Sequence, residues 1–412
     1  SPIFYLVDFI VAEGFQLLTL NGHFDPAQNP SGIHSDTPTL SGPWPPLNRP
    51  TNPDPALWHM DEVYPLHRLH VRQAKTNGIN RTPSEDQRRH GFWQMMINSK
   101  DQLRHKMGYA LQQIVVVSAD PGRLRIHTHA GANYQDMLNH YAFSHYRDIL
   151  GFVNWSPLMG YYLSSLKNQK GVDLDDDGIF DISPDENLAR ENMQLFSIGL
   201  FNLWADGTLR LDSTGRPQAT YTNTDIQEFA KVLTGQSFSV DNDPDSYMGG
   251  MPYDSIPKNT DFDANVLGSE GFYRNRFDYP MAMFGEYHDT SVKTFAGTTI
   301  DNTHLSDPTT QGIADIEQAI DWLAGKPGDG QPDFDMVHSH GSTPAFISRR
   351  LIQRFTTSNP SRDYLHRVAT AFKNSEGDLG LTLKAILLDS EARQLKPGRT
   401  IGQKKSPMEG TL

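Results

Sequence analysis

Residues 173–181 read Asp-Leu-Asp-Asp-Asp-Gly-Ile-Phe-Asp, with carboxylates at the first, third, fifth and ninth places and glycine at the sixth. Calcium takes about six to eight hard oxygen ligands, and alternating aspartates in a tight loop supply them. Asp173, Asp175, Asp177 and Asp181 would each offer a side-chain oxygen and Ile179 its backbone carbonyl, while Gly178 allows the sharp turn. Carboxylates crowded this closely repel one another unless a cation sits among them. An EF-hand loop closes on a bidentate glutamate. Here that place falls to Pro184, so Asp185 is the expected closing ligand of a slightly longer loop, with a shorter variant site as the alternative. A solvated acidic loop is the competing account. The expected cofactor is calcium and its role structural.

The run Ser183-Pro184-Asp185-Glu186 looks like a helix start, with Ser183 as N-cap, Pro184 in the first turn and Glu186 closing a capping box. That employs Glu186 outside the metal loop. In the helix that follows, Asn187, Arg190, Glu191 and Gln194 recur at helical spacing and share one polar face. Leu188, Leu195, Phe196 and Leu200 are expected to lie away from it. On pattern alone this is a solvated stripe.

The segment "SPDENLARENMQLFSIGL" resembles the "PNEN-ARE-MELF-LG" signature of a bacterial family catalogued as domain of unknown function 1800. Further segments are similar to that family in the same order: "DQLRHKMGYALQQIVVVS", "NHYAFSHYRDILGFVNWSPLMGYYL", "YTNTDIQEFAKVLTG", "HDTSVKTFAG" and the stretch from "HGSTPAFISRRLIQRF" to "NSEGDL". The resemblance spans roughly 101 to 393. It implies a secreted or periplasmic, mostly helical bacterial protein, and it implies little about chemistry. An aromatic-rich "RFTFG"-like start is absent. Gln194 stands where the family often has Glu, and Gln236 where it has Trp.

The polar residues that match the family are Asn187, Arg190, Glu191, His288, Asp289 and Lys293. Two readings stand. In the catalytic one, His288 beside a carboxylate acts as base or metal ligand, and Glu191 near Arg190 as acid or base. In the structural one, the same residues form a buried network locking elements together, with Asp289 capping a turn and Lys293 paired to it. No Gly-x-Ser-x-Gly elbow, His-Glu-x-x-His pair or phosphate-binding loop is present. The close pairs His67/His70, His127/His129 and His338/His340 leave a transition-metal site open, with His340 the foremost candidate.

The elements that must position these groups read as helices. They fall at Arg89–Asn98, Asp101–Val117, Tyr134–Leu150, Pro157–Leu166, Asn187–Gly199, Thr224–Leu233, Asp315–Leu323, Thr343–Thr356, Arg362–Phe372 and Leu379–Asp389. Thr208–Leu211 with Gln218–Tyr221 reads as a small hairpin across 212–217. The expected fold is therefore mainly α: a multi-helix globular domain with long irregular loops, a helix–calcium loop–helix unit and a small β-hairpin. Residues 1–55 form an extended Pro/Gly-rich arm, 56–400 one large helical domain with an irregular insertion around 239–300, and 401–412 a tail.

A net charge of −13, with no basic run longer than Arg88-Arg89-His90, argues against nucleic-acid partners. The absence of cysteine rules out disulfides and thiolate metal sites. The most apolar stretch, Ser1–Leu20, is interrupted by Asp8 and Glu13 and is too polar to span a bilayer. The chain begins at Ser1, so a processed form that has lost a signal peptide is one reading and a truncation the other. Together with the location that the family resemblance implies, these features and the acidic loop predict a secreted or cell-surface, calcium-stabilised protein acting in binding or assembly at the cell envelope, with the arm Ser1–Pro55 as a protein-contact element. The alternative is an extracytoplasmic hydrolase acting on a polymer through a polar cleft around Glu191 and His288.

Overall fold

The computed structural model describes residues 85–98, 101–118, 128–175, 181–238, 280–325 and 340–393. The arm 1–55 and the tail 401–412 lie outside these, as do Asp177 and Ile179 of the acidic loop and the part of the expected insertion before residue 280.

The architecture is mainly α. Helices α1 (Glu85–Asn98), α2 (Gln102–Gln112) and α3 (Thr128–His140) come first. Gly108 lets α2 and α3 close on each other, since a Cβ there would stand 2.0 Å from Asn139 Oδ1. The single helix expected over Tyr134–Leu150 is two. After α3 the chain turns through 141–145 and restarts as α4 (Tyr146–Trp155). His145 and Asp148 form a capping box there, and Tyr146 N–H donates to Gly377 O at 2.9 Å. Tertiary pairing thus overrides a continuous helical pattern. Ser156 then caps α5 (Pro157–Tyr162).

After the acidic loop come α6 (Asn187–Gln194) and α7 (Asn223–Val232), the latter closed by a Thr222–Asp225 capping box. Two antiparallel pairs follow: β1 (Gln236–Phe238) with β2 (Met281–Met283), and β3 (Lys293–Phe295) with β4 (Thr298–Ile300). The end of the expected irregular insertion is therefore ordered. Helix α8 (Pro308–Ala324) starts on Asp307, whose carboxylate accepts from Thr309 N–H and Thr310 N–H. Helices α9 (Thr343–Phe355), α10 (Arg362–Asn374), α11 (Leu379–Leu388) and α12 (Ser390–Arg393) complete the described chain.

One continuous core runs from Met107 through Tyr146, Trp155, Phe196, Phe229 and Phe295 to Phe372. Helices α9, α10 and α11 pack together at one end, α7 lies on β3, and α8 lies on α4. Arg147 of α4 clamps α8 by pairing with Glu317, at 2.7 Å, and Asp321. Among the described residues no helix is long and apolar enough to cross a membrane.

Candidate functional site

The acidic loop lies between α5 and α6, but it is closed by backbone rather than by helix ends. Val172 and Ile182 exchange N–H···O bonds of 2.9 and 3.1 Å, an antiparallel bridge that brings the two ends of the loop together. Carboxylate oxygens of Asp173, Asp175 and Asp181 converge to within 4.8 Å of one another, and Leu174 N–H donates to Asp181 Oδ2 at 2.7 Å. An oxygen-only set of this kind fits a hard divalent cation.

Asp185, the expected closing ligand, is employed elsewhere. Its Oδ1 accepts from Asn187 N–H at 2.9 Å, and its backbone is held by Asn168. The helix start expected at Ser183 is thus displaced. The N-cap is Glu186, whose side chain instead pairs with Arg190 at 3.2 Å. Asp185 satisfies the first free N–H, so the capping box has no work to do.

On α6, Arg190, Glu191 and Gln194 are half-buried and Asn187 is exposed. Glu191 Oε2 is out of solvent contact and has no hydrogen-bond partner among the described residues. Burial raises its pKa against the opposing pull of Arg190. Beside it Tyr221 donates to Gln194 Oε1 at 3.3 Å. Asn192, which sequence reasoning passed over, is fully buried and bonds Asn154 of α4.

Leu195 and Leu200, expected to lie away from the polar face of the helix, are exposed. The reason is that α6 ends at Gln194 and the chain turns through 195–199, so helical spacing no longer applies. Beyond it, residues 200–220 form a three-segment meander rather than the single hairpin expected. Asn202 N–H donates to Gln218 O, Arg210 N–H to Asn202 O and Gln218 N–H to Arg210 O, at 2.8 to 2.9 Å. The bridged pairs are Phe201 with Ala219, Leu203 with Leu209, and Leu211 with Pro217. Bridged positions two apart point to the same side. One face of the meander is therefore wholly apolar, and it faces solvent: Phe201, Leu209, Pro217 and Ala219 are exposed and Leu211 is 58% accessible. Trp204, 54% accessible, alternates to the other side of the meander, under the Arg210 guanidinium, 4.2 Å from the ring centroid.

His288 and Lys293 belong to a different place. Both are fully buried together with Asp315 of α8, which the sequence reading placed only at the start of a helix and not in a site. His288 Nε2 lies 3.0 Å from Asp315 Oδ2, and Lys293 Nζ donates to the same oxygen and to Asp289 O. Asn302 Nδ2 donates to Asp315 Oδ1 at 2.8 Å, and His288 Nδ1 meets Thr234 O at 2.9 Å. Burial alone would raise the Asp315 pKa, but the hydrogen bonds from His288, Lys293 and Asn302 outweigh it and hold the carboxyl below its usual range. Asp289 turns outward and accepts from Ser291 N–H at 2.9 Å. Among the described residues no hydrogen bond or ion pair joins this group to Arg190 or Glu191, so the five expected residues fall into two groups. Only Asp315, thirteen residues past Asn302 and twenty-seven past His288, completes the second. Nothing local in the sequence marks that pairing.

His340 is buried against the Trp322 ring and accepts from Ser342 N–H at 3.3 Å, a packed core histidine. Burial, then the charge of Arg210, lowers its pKa to about 4.

A family described as "Protein of unknown function (DUF1800)" matches residues 47–412. The chain belongs to that family. The match starts inside the last residues of the arm 1–55 and covers every described element of this DUF1800 protein, including α1 and the buried His288 group. No curated protein and no solved structure matches it.

Proposed function

We propose that this DUF1800 protein is a secreted or cell-surface, calcium-stabilised protein acting in binding or assembly at the cell envelope. The observation that carries the reading is the apolar, solvent-facing side of the meander, Phe201, Leu209, Leu211, Pro217 and Ala219. Exposed apolar faces of this continuity are docking surfaces in soluble proteins. Calcium fits the convergent oxygens of Asp173, Asp175 and Asp181, and would fix the loop that leads into α6. α6 in turn leads into the meander, so the metal would hold the docking face in place. The arm Ser1–Pro55 is a second contact element under the same reading. The test is co-sedimentation of the full chain with an isolated bacterial envelope fraction, together with its sedimentation coefficient. Wild type should pellet or self-associate. The variant Phe201→Ser/Leu211→Ser should do neither while melting at the same temperature. A wild-type protein that stays monomeric and unbound overturns the reading.

One observation favours a second reading, a hydrolase acting on an extracellular polymer. Glu191 carries a desolvated carboxylate oxygen with no hydrogen-bond partner among the described residues, and burial raises its pKa, the direction a general acid needs. It lies close enough to Tyr221 for its charge to act on that hydroxyl, which donates to Gln194. Under this reading Glu191→Gln abolishes polymer cleavage with the melting temperature unchanged. A variant that merely melts differently removes it. The His288 group enters neither reading as a substrate site, because each of its charged atoms already meets a protein partner.

A further inference from the structure

The buried group on β3 and α8 holds a nucleophile, an electrophile and the means to move protons between them. Lys293, Asp315 and His288 are each fully buried. Lys293 Nζ contacts Asp315 Oδ2, an atom bonded directly to the carboxyl carbon. Asn302 Nδ2–H points at the other oxygen, Oδ1, from 2.8 Å, where it would steady negative charge as that carbon becomes tetrahedral. The carbonyl of Thr234 can only accept, so it fixes a proton on His288 Nδ1 and leaves Nε2 as the exchangeable position. That Nε2 lies 3.0 Å from Oδ2 and 3.4 Å from Nζ, between the atom that must lose protons and the atom that must gain them. Glycines make room for the ring: a Cβ on Gly312 would stand 3.0 Å from His288 Cγ, and one on Gly235 3.1 Å from its Cβ.

We propose that Lys293 and Asp315 join in an intramolecular isopeptide bond, formed autocatalytically as the chain folds, with His288 as proton shuttle and Asn302 as oxyanion donor. The pair begins as ammonium and carboxylate. Proton transfer through His288 Nε2 gives the amine and the carboxylic acid, a step driven by the missing water around the ions and opposed by the hydrogen bonds that hold Asp315 ionised. The Nζ–Cγ bond forms and the charge gathers on Oδ1 against Asn302. The Cγ–Oδ2 bond then breaks, and Oδ2 departs as water with the protons the amine has given up. One water is released for one amide formed, and no oxidant, reductant or co-reactant is consumed. The bond would tie β3 covalently to α8, cross-linking a chain that has no cysteine. This inference does not depend on the binding reading above.

Peptide mapping of the full-length protein by mass spectrometry tests it. The expected result is a single looped tryptic peptide that starts at Phe277 and runs uncleaved through Lys293 and Asp315, lighter by the mass of one water than the same peptide in linear form. Lys293→Arg and Asp315→Ala should each give separate peptides at full mass, and His288→Gln should slow the linkage in freshly refolded protein. Should a variant fail to fold, the wild-type map alone decides. Wild-type protein that yields the two segments separately, with Lys293 open to trypsin, overturns the proposal, whatever its intact mass.

Discussion

Asn154 and Asn192 exchange two side-chain hydrogen bonds inside the core, Asn154 Nδ2 to Asn192 Oδ1 at 3.1 Å and Asn192 Nδ2 to Asn154 Oδ1 at 2.6 Å. The pair joins α4 to α6 where both helices are buried, and Gln236 of β1 adds a bond to Asn154 O. Removing one amide strands polar atoms of the other out of reach of water, which costs about 1–3 kcal/mol. Asn192→Leu should therefore lower the urea midpoint clearly. The double variant Asn154→Leu/Asn192→Leu should lose less than the sum of the single losses, because no orphan remains. Strict additivity in the cycle would show that the two amides do not act as a pair.

A glycine in mid-helix normally costs stability relative to alanine, so Gly312→Ala on α8 would stabilise an exposed helix. Here the new Cβ would stand 2.7 Å from Met283 Sδ and 3.0 Å from His288 Cγ. The methionine can swing aside; the imidazole is pinned by Thr234 and Asp315. The substitution is expected to lower stability by about 1–3 kcal/mol, the usual penalty of overpacking. A thermal melt at unchanged or higher temperature would mean that the His288 ring is not tightly seated.

The sequence made the helical framework legible because its apolar spacing is strong: α7, α9, α10 and α11 fall within about two residues of their expected bounds, the usual fraying of helix ends. What it could not show arises from contacts between distant segments. The break at 141–145 depends on Gly377, and the buried site depends on Asp315, which reads in sequence as one more polar position of an amphipathic helix. Leu195 and Leu200 read as positions away from the polar face of one helix until the chain is seen to leave that helix before them. The acidic loop was legible from spacing alone, whereas the withdrawal of Asp185 to Asn187 N–H required the backbone path.

Two buried histidines set an acid limit. Burial lowers the pKa of His105, despite the nearby carboxylates of Asp101 and Asp136, and that of His340 from 6.5 to about 4. Between those two values the unfolded chain binds protons that the folded chain refuses, so stability falls as pH drops from 6.5 to about 4 and is fully present above. Each shift corresponds to roughly 3 kcal/mol. Asp148, Glu191, Glu317 and Asp378, whose pKa values burial raises, work in the opposite sense over part of the same range. The clean measurement is therefore a difference. His105→Phe should flatten the slope of melting temperature against pH between 6.5 and 4 relative to wild type. Parallel profiles would show that His105 takes up its proton while folded.

Chelation separates the two roles of the acidic segment. Asp173, Asp175 and Asp181 converge on one point, while Asp185 holds a backbone N–H of α6. Free calcium at a hundredfold excess over its Kd stabilises a protein by about 2.7 kcal/mol, so a chelator should lower the melting temperature and added calcium restore it. Asp175→Asn and Asp181→Asn remove charge from the converging oxygens and should weaken that calcium response. Asp185→Ala should instead lower the melting temperature equally with and without calcium, by the roughly 1 kcal/mol of a lost helix cap. Were Asp185→Ala to abolish the calcium response, the closing ligand would be Asp185 after all, and the loop would have to rearrange around the metal. Were wild type to ignore both chelator and calcium, the three carboxylates would be a solvated turn.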